Sequence, residues 1–146
     1  MITIDASVFV AAVDADEPTR QLARRLLSAV TASEAPIHQP TLTLVEVTAA
    51  LARRSADTSV AMQAGAALVA MPGLVLHRLD LYAATEASAV AVAARLRGAD
   101  ATYVAVAVRT GSTLVTLDAE LLERAATLVP VATPEAWLAG AAQAPS

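Results

Sequence analysis

Apolar and polar positions alternate between two periods along the chain, and the period changes mark its elements. Short β-branched or leucine-rich runs at residues 2–4, 36–40, 74–77, 113–117 and 128–131 predict strands. Longer stretches between them carry apolar residues at helical spacing and predict helices over 6–13, 19–32, 41–54, 57–71, 80–96, 100–109, 119–125 and 134–142. In residues 19–32 the apolar face is Leu22, Leu26, Leu27 and Val30, with Arg20 and Arg24 outside. In 41–54 it is Leu42, Val45, Ala49 and Leu51, and in 57–71 it is Val60, Ala64, Leu68 and Met71. Asp57, Asp80, Asp100 and Asp118 stand where helix caps are expected, and Gly98 is placed to close the helix over 80–96. Pro36 and Pro40 fence the second strand, and Pro130 puts the last one at a sheet edge.

Five apolar strands separated by helices predict an α/β fold, a parallel sheet of about five strands sandwiched between helices. No internal repeat or composition shift divides the chain, so residues 1–142 read as a single domain and 143–146 as a frayed tail. The 146 residues are 56% hydrophobic and 16% charged, which suits a packed core and excludes disorder. The uncharged run over 58–77 is broken by Pro72-Gly73 into halves too short to span a bilayer, and the N-terminus lacks the basic start of a signal peptide. A soluble, cytoplasmic protein is expected.

Composition narrows the chemistry. Cysteine and lysine are absent, and histidine occurs only as His38 and His77. Thiol nucleophiles, zinc–thiolate sites, Schiff bases and a P-loop lysine are thereby excluded, and carboxylates, hydroxyls and arginines remain. A net charge of −4 argues against a dedicated nucleic-acid binder without excluding an enzyme that meets a phosphodiester through metal ions. Asp5, Glu46, Asp100 and Asp118 sit inside or at the ends of apolar segments. Each has a reading by itself: Asp5, Asp100 and Asp118 as helix caps, and Glu46 as the last residue of a Thr43-x-x-Glu46 capping box. If the helix begins just after Pro40, however, Glu46 lies within it, and a buried glutamate without a partner is costly. Taken together, four carboxylates crowded at one place repel one another unless a cation joins them, and oxygen donors without histidine or cysteine select Mg²⁺ or Mn²⁺. In open parallel sheets the site lies beyond the carboxyl ends of the strands, where Asp5 and Asp118 fall. Thr116 and Asp118 are two residues apart, so an extended chain points both to one side.

Ile4-Asp5-Ala6-Ser7, Thr43-Leu44-Val45-Glu46-Val47, Gly98-Ala99-Asp100-Ala101 and Leu114-Val115-Thr116-Leu117-Asp118 resemble the four acidic motifs of PIN-domain ribonucleases. In order, spacing and total length the chain is similar to the VapC-type toxins of bacterial toxin–antitoxin modules. The resemblance implies a Mg²⁺- or Mn²⁺-dependent endoribonuclease, with RNA as substrate and a cognate VapB-like antitoxin as partner; a homodimer is also expected. It implies Asp5, Glu46, Asp100 and Asp118 as catalytic acids, the metal resting on Asp5, Asp100 and Asp118, with Ser7 and Thr116 as supporting hydroxyls. Where many members carry a further acid after the third motif, this chain has Thr102 and Tyr103, and Glu120 is the only acid close behind Asp118. Two other enzyme classes fit the fold but not the residues. A phospho-acceptor receiver domain needs a lysine and paired acids, and a haloacid-dehalogenase-like phosphatase needs Asp-x-Asp where this chain has Asp5-Ala6-Ser7. A non-catalytic PIN-like module that only binds a partner is the remaining alternative.

Overall fold

The structure is a computed structural model, and it describes residues 1–142; the expected frayed tail, 143–146, lies outside the described residues. Five parallel strands form one sheet: β1 (Ile2–Ile4), β2 (Ile37–Pro40), β3 (Leu74–His77), β4 (Thr113–Val115) and β5 (Val131–Ala132). Their spatial order is β3-β2-β1-β4-β5. The crossovers are α1 (Ala6–Val13) and α2 (Arg20–Ala32), then α3 (Leu42–Arg54) and α4 (Thr58–Val69), then α5 (Leu81–Ala94) and α6 (Gly98–Thr110), then α7 (Ala119–Ala125); α8 (Pro134–Ala141) follows β5. The expected α/β class and parallel sheet are both present.

Parallel strands need helices on both faces, because neither face can be left to water. One core packs α1, α2 and the inner sides of α3 and α4 against Ile2, Ile4, Ile37 and Val115. The other packs α6 and α7 against Leu114, with Leu96, Leu121 and Val129 around it. Two helices are buried far beyond one stripe. Val8–Ala12 of α1 and Ala101–Ala107 of α6 are buried without a break, which only apolar and small residues permit. The chain progresses from β1 outward to β3, then returns to place β4 on the other side of β1. The carboxyl ends of β1 and β4 therefore flank the point where winding reverses, which is where such sheets open a crevice.

Several boundaries differ from expectation. Thr3 pairs with Leu114 and Ile4 with Val115, and β4 ends there, so Thr116 and Leu117 lie past the strand. The last strand is only Val131–Ala132, because Pro130 cannot donate to the ladder and residues 128–129 form the turn out of α7. The helix over residues 80–96 ends at Ala94, where Arg95 takes a left-handed φ of 53°, and Gly98 is instead the first residue of α6. The buried positions of α3 are Thr43, Val47 and Leu51, and those of α4 are Ala61, Gly65 and Leu68. Val45 is exposed, one residue off the expected stripe. The two helices pack on each other as well as on the sheet, which turns both relative to a single apolar stripe. No helix among the described residues is long and apolar enough to cross a membrane.

Candidate active site

Asp5 follows the last residue of β1, and its amide donates to the carbonyl of Val115 at 2.9 Å, so it sits at the seam between β1 and β4. It caps α1, as the single-residue reading expects, through a 3.3 Å bond from Ser7 N–H to Oδ2. The same oxygen also accepts the Ser7 hydroxyl at 2.5 Å and the Thr116 hydroxyl at 2.9 Å. Oδ1 takes no bond from the described residues and keeps contact with solvent, although the residue is only 7% exposed. A carboxylate with one oxygen tied down three times and the other free is fixed in orientation and has a lone pair to offer.

Thr116 and Ser7 complete that frame. The Thr116 hydroxyl accepts the Asp118 amide at 3.0 Å while donating to Asp5, and the Ser7 hydroxyl accepts the Leu117 amide at 3.3 Å. The segment leaving β4 is thus held by hydroxyl groups rather than by the strand ladder. Asp118 caps α7: its Oδ1 accepts the amides of Glu120 at 2.8 Å and Leu121 at 3.1 Å. Its Oδ2 accepts from Arg97.

Asp100 is not the cap of α6. Arg97 occupies that position, and Asp100 lies in the first turn, where unpaired amides and the helix dipole still favour negative charge. Arg97 donates from Nε to Asp100 Oδ2 at 2.9 Å and from Nη2 to Asp118 Oδ2 at 3.1 Å. Glu46 lies inside α3, which removes the capping-box alternative, since Thr43 is itself helical and bonds Gln39 at 3.1 Å. Its Oε2 accepts the hydroxyl of Tyr103 at 2.7 Å.

The electrostatics tie the four acids together. Burial raises the Glu46 carboxyl above its ordinary value; the Tyr103 bond opposes this, and repulsion from Asp5 and Asp100 adds to it. Burial likewise raises Asp100, against the pull of Arg97 and with repulsion from Asp5 and Asp118. Desolvation and the Glu46 charge push the Tyr103 hydroxyl far up, so it remains a donor at every working pH. The acids therefore share one neighbourhood. As they stand, though, no three carboxylate or imidazole groups among the described residues close tightly enough to grip one ion, so the expected convergence on a metal is looser than the sequence suggested. The donor set fits a hard cation in kind: carboxylate and hydroxyl oxygens, with one oxygen of Asp5 free of bonds from the described residues and a negative charge that Arg97 offsets at Asp100 and Asp118.

Three residues of this neighbourhood escaped the sequence reading. Arg97 carried a signal in its i,i+3 spacing to Asp100. Tyr103 stands in the apolar run of α6, and a buried tyrosine must find a partner for its hydroxyl. Arg54, at the end of α3, lines a cleft of ≈ 280 Å³ with Ser7, Glu17, Leu117 and Asp118, and pairs with Asp14 at 2.9 Å. His38 and His77 bond each other at 3.0 Å across β2 and β3, and Trp137 packs on the core; none of the three enters the site.

No curated protein matches the chain by sequence. Among solved structures, the VapC20 toxin of Mycobacterium tuberculosis, described as cleaving the sarcin–ricin loop, superposes with a TM-score of 0.73 at 22% identity, over 88% of this chain and 97% of that one. PAE2754 of Pyrobaculum aerophilum superposes at 0.68 with 23% identity, over 97% and 96%. A chain of VapBC2 from Rickettsia felis, bound to a promoter DNA fragment, superposes at 0.69 with 13% identity, over 91% and 98%. At such identities the likeness is one of fold. The PIN domain model matches residues 2–128, a span that takes in all four acids and everything from β1 through α7, and on that match the chain belongs to the PIN domain family.

Proposed function

We propose that this protein is a Mg²⁺- or Mn²⁺-dependent endoribonuclease and the toxin of a toxin–antitoxin pair. The observation that carries the reading is that four acids from four separate elements share one neighbourhood, two of them raised by burial and by neighbouring acids, with Arg97 bonded to Asp100 and Asp118. A fold does not keep such repulsion for its own stability; it fits a place made for a cation. When bound, the cation supplies charge to steady a phosphoryl oxygen and to make water a better nucleophile. Asp5, Asp100 and Asp118 are the residues to hold it, Asp5 through the oxygen that Ser7 and Thr116 leave free.

The chain's own groups do the rest. Asp118 keeps Oδ1 on the α7 amides, so only Oδ2 can turn to the crevice. Glu46, fixed through Oε2 by Tyr103, has Oε1 to receive a proton from an approaching water, and burial makes it a stronger base than a surface glutamate. Arg54 stands at the mouth of the adjoining cleft, where its fork suits a flanking phosphate of the RNA.

The partner reading has support of its own. Between α3 and α4 runs an apolar groove of ≈ 730 Å³ whose walls include Leu44, Val45, Met62 and Val69. Val45, Met62 and Val69 are 59%, 71% and 52% exposed. An amphipathic helix of an antitoxin fits such a groove, and a basic tail following it would meet the acids. A second apolar patch, Leu79, Leu81 and Tyr82, suits a homodimer.

The test is cleavage of a structured RNA by the purified protein. Mg²⁺ or Mn²⁺ is expected to support cleavage and EDTA to stop it. Asp5→Asn and Asp100→Asn are expected to abolish it while circular dichroism shows the fold kept. Cleavage by either variant at the wild-type rate, or none by the wild type with either metal, overturns the reading.

A further inference from the structure

We propose that Arg97 is a resident counter-cation: it bridges Asp100 and Asp118 in the metal-free protein and must release both when a divalent cation binds. The proposal rests on the metal reading above. Asp100 belongs to the first turn of α6 and Asp118 to the cap of α7, and Arg97 is the residue that bonds them both. Two nitrogens of one guanidinium reach one oxygen of each acid, Oδ2 in both cases. For Asp118 that choice matters. Its Oδ1 already serves two amides of α7, so Oδ2 is the oxygen left for a cation, and Arg97 sits on it.

The arm is also built to let go. The Arg97 side chain is 66% exposed, whereas Asp100 is 17% exposed. Water can take the guanidinium back at little cost, but it solvates the Asp100 carboxylate poorly. Arg97 makes no cap bond to its own helix, so its departure leaves α6 intact. Until then it brings together two like charges that would otherwise push apart, and so keeps half of the site assembled. A ligand that must displace an internal competitor binds more weakly by the fraction of time the competitor is away. Exposed ion pairs are individually weak, about a two- to fivefold preference for each contact, so the competition is modest and metal at millimolar levels overcomes it.

The experiment follows Mg²⁺ binding to the full chain by calorimetry and by the Arg97 Nε–Hε resonance in ¹H–¹⁵N spectra, assigned by its loss in Arg97→Lys. In the metal-free wild type the resonance is expected away from the position of a solvated guanidinium. It should move to that position along the same saturation curve as the heat. Arg97→Lys keeps the charge but lacks the fork that spans two acids, so it is expected to bind Mg²⁺ about two- to fivefold more tightly than the wild type. A resonance that stays in place at saturating Mg²⁺ overturns the proposal, as does wild-type affinity in Arg97→Lys, because plain charge repulsion would be unchanged. Absence of Mg²⁺ and Mn²⁺ binding in both proteins refutes the metal reading itself, and this proposal with it.

Discussion

Tyr103→Phe isolates the hydrogen bond that positions Glu46. Tyr103 is 1% exposed and gives its hydroxyl to Glu46 Oε2 at 2.7 Å, so the substitution removes one oxygen and changes the packing little. A hydrogen bond to a charged partner contributes about 1.5–3 kcal/mol. Glu46 is half-buried and recovers some water when the hydroxyl is gone, which puts the expected loss at about 1–2 kcal/mol. For a chain of this size that lowers the melting temperature by about 3–6 °C. The sign of the pH dependence follows from the same bond. It favours the ionised carboxyl, so its stabilisation is present above the raised pKa of Glu46 and shrinks as pH falls through it. The cost of Tyr103→Phe should therefore be larger at pH 8 than at pH 4. In a Glu46→Gln background only a neutral bond is lost, about 0.5–1.5 kcal/mol, leaving a coupling of about 1 kcal/mol. Melts and urea titrations followed by circular dichroism in EDTA measure all four proteins. Equal costs in both backgrounds and at both pH values would mean that Tyr103 acts by packing alone, and the account of how Glu46 is held would fail.

Mg²⁺ at about a hundredfold over its Kd stabilises the fold by about 2.7 kcal/mol, a rise of roughly 5–10 °C in melting temperature, and Asp100→Asn should erase most of it. Thermal scans with and without metal decide this; a wild type unmoved by metal contradicts it. His38 and His77 are both held below the ordinary value of 6.5, by burial first, with the N-terminal amine adding for His38 and Arg109 for His77. Their contribution is complete above about pH 6.5 and is lost as pH falls through the lowered values, so His77→Gln should flatten the fall in stability between pH 7 and 5. A slope identical to that of the wild type removes the pair from the pH response. At Gly65 an added Cβ would lie 2.8 Å from Thr48 Cγ2 and 3.2 Å from Leu44 Cδ1, and Thr48 is held in its rotamer by a 2.8 Å bond to the Leu44 carbonyl. Gly65→Ala should therefore cost about 1 kcal/mol net, the clash outweighing the gain in helix propensity, and a melting temperature at or above the wild type would show that α3 and α4 part easily.

The fold was legible because its determinants are local. β-Branched runs such as Ile2-Thr3-Ile4 can only be strands, and Asp57 and Asp80 cap their helices as expected, through 2.9 Å bonds to the amides of Ser59 and Ala83. The misplaced boundaries fall where a local rule met a tertiary one. Gly98 looked like a helix stop, yet Arg95 adopts the left-handed turn and Gly98 opens α6, at a place where a side chain would meet nothing within 4 Å, so neither role requires the glycine. Val45 fitted the helical stripe of α3, but packing against α4 at Gly65 rotates that stripe onto Thr43 and Val47.

The site divides along the same line. Asp5 and Asp118 were legible because the carboxyl end of a strand is itself a position in the fold, and two strands paired in register bring their ends together. Thr116 and Ser7 came with them, each within two residues of an acid. Arg97 and Tyr103 depend instead on where α6 crosses α3 and α7, a distance set by the bulk of every side chain between them. The helix they flank and occupy is buried from Ala101 to Ala107, and three of those seven residues are alanines, so it settles close to the sheet. That depth puts the Tyr103 hydroxyl on Glu46 and leaves Asp100 at the mouth, where Arg97 can still reach Asp118 across the gap. A bulkier residue at Ala101 or Ala107, both fully buried, would lift α6 off the sheet and move both contacts at once. The small residues of α6 therefore set where Tyr103 meets Glu46 and where Arg97 meets Asp118.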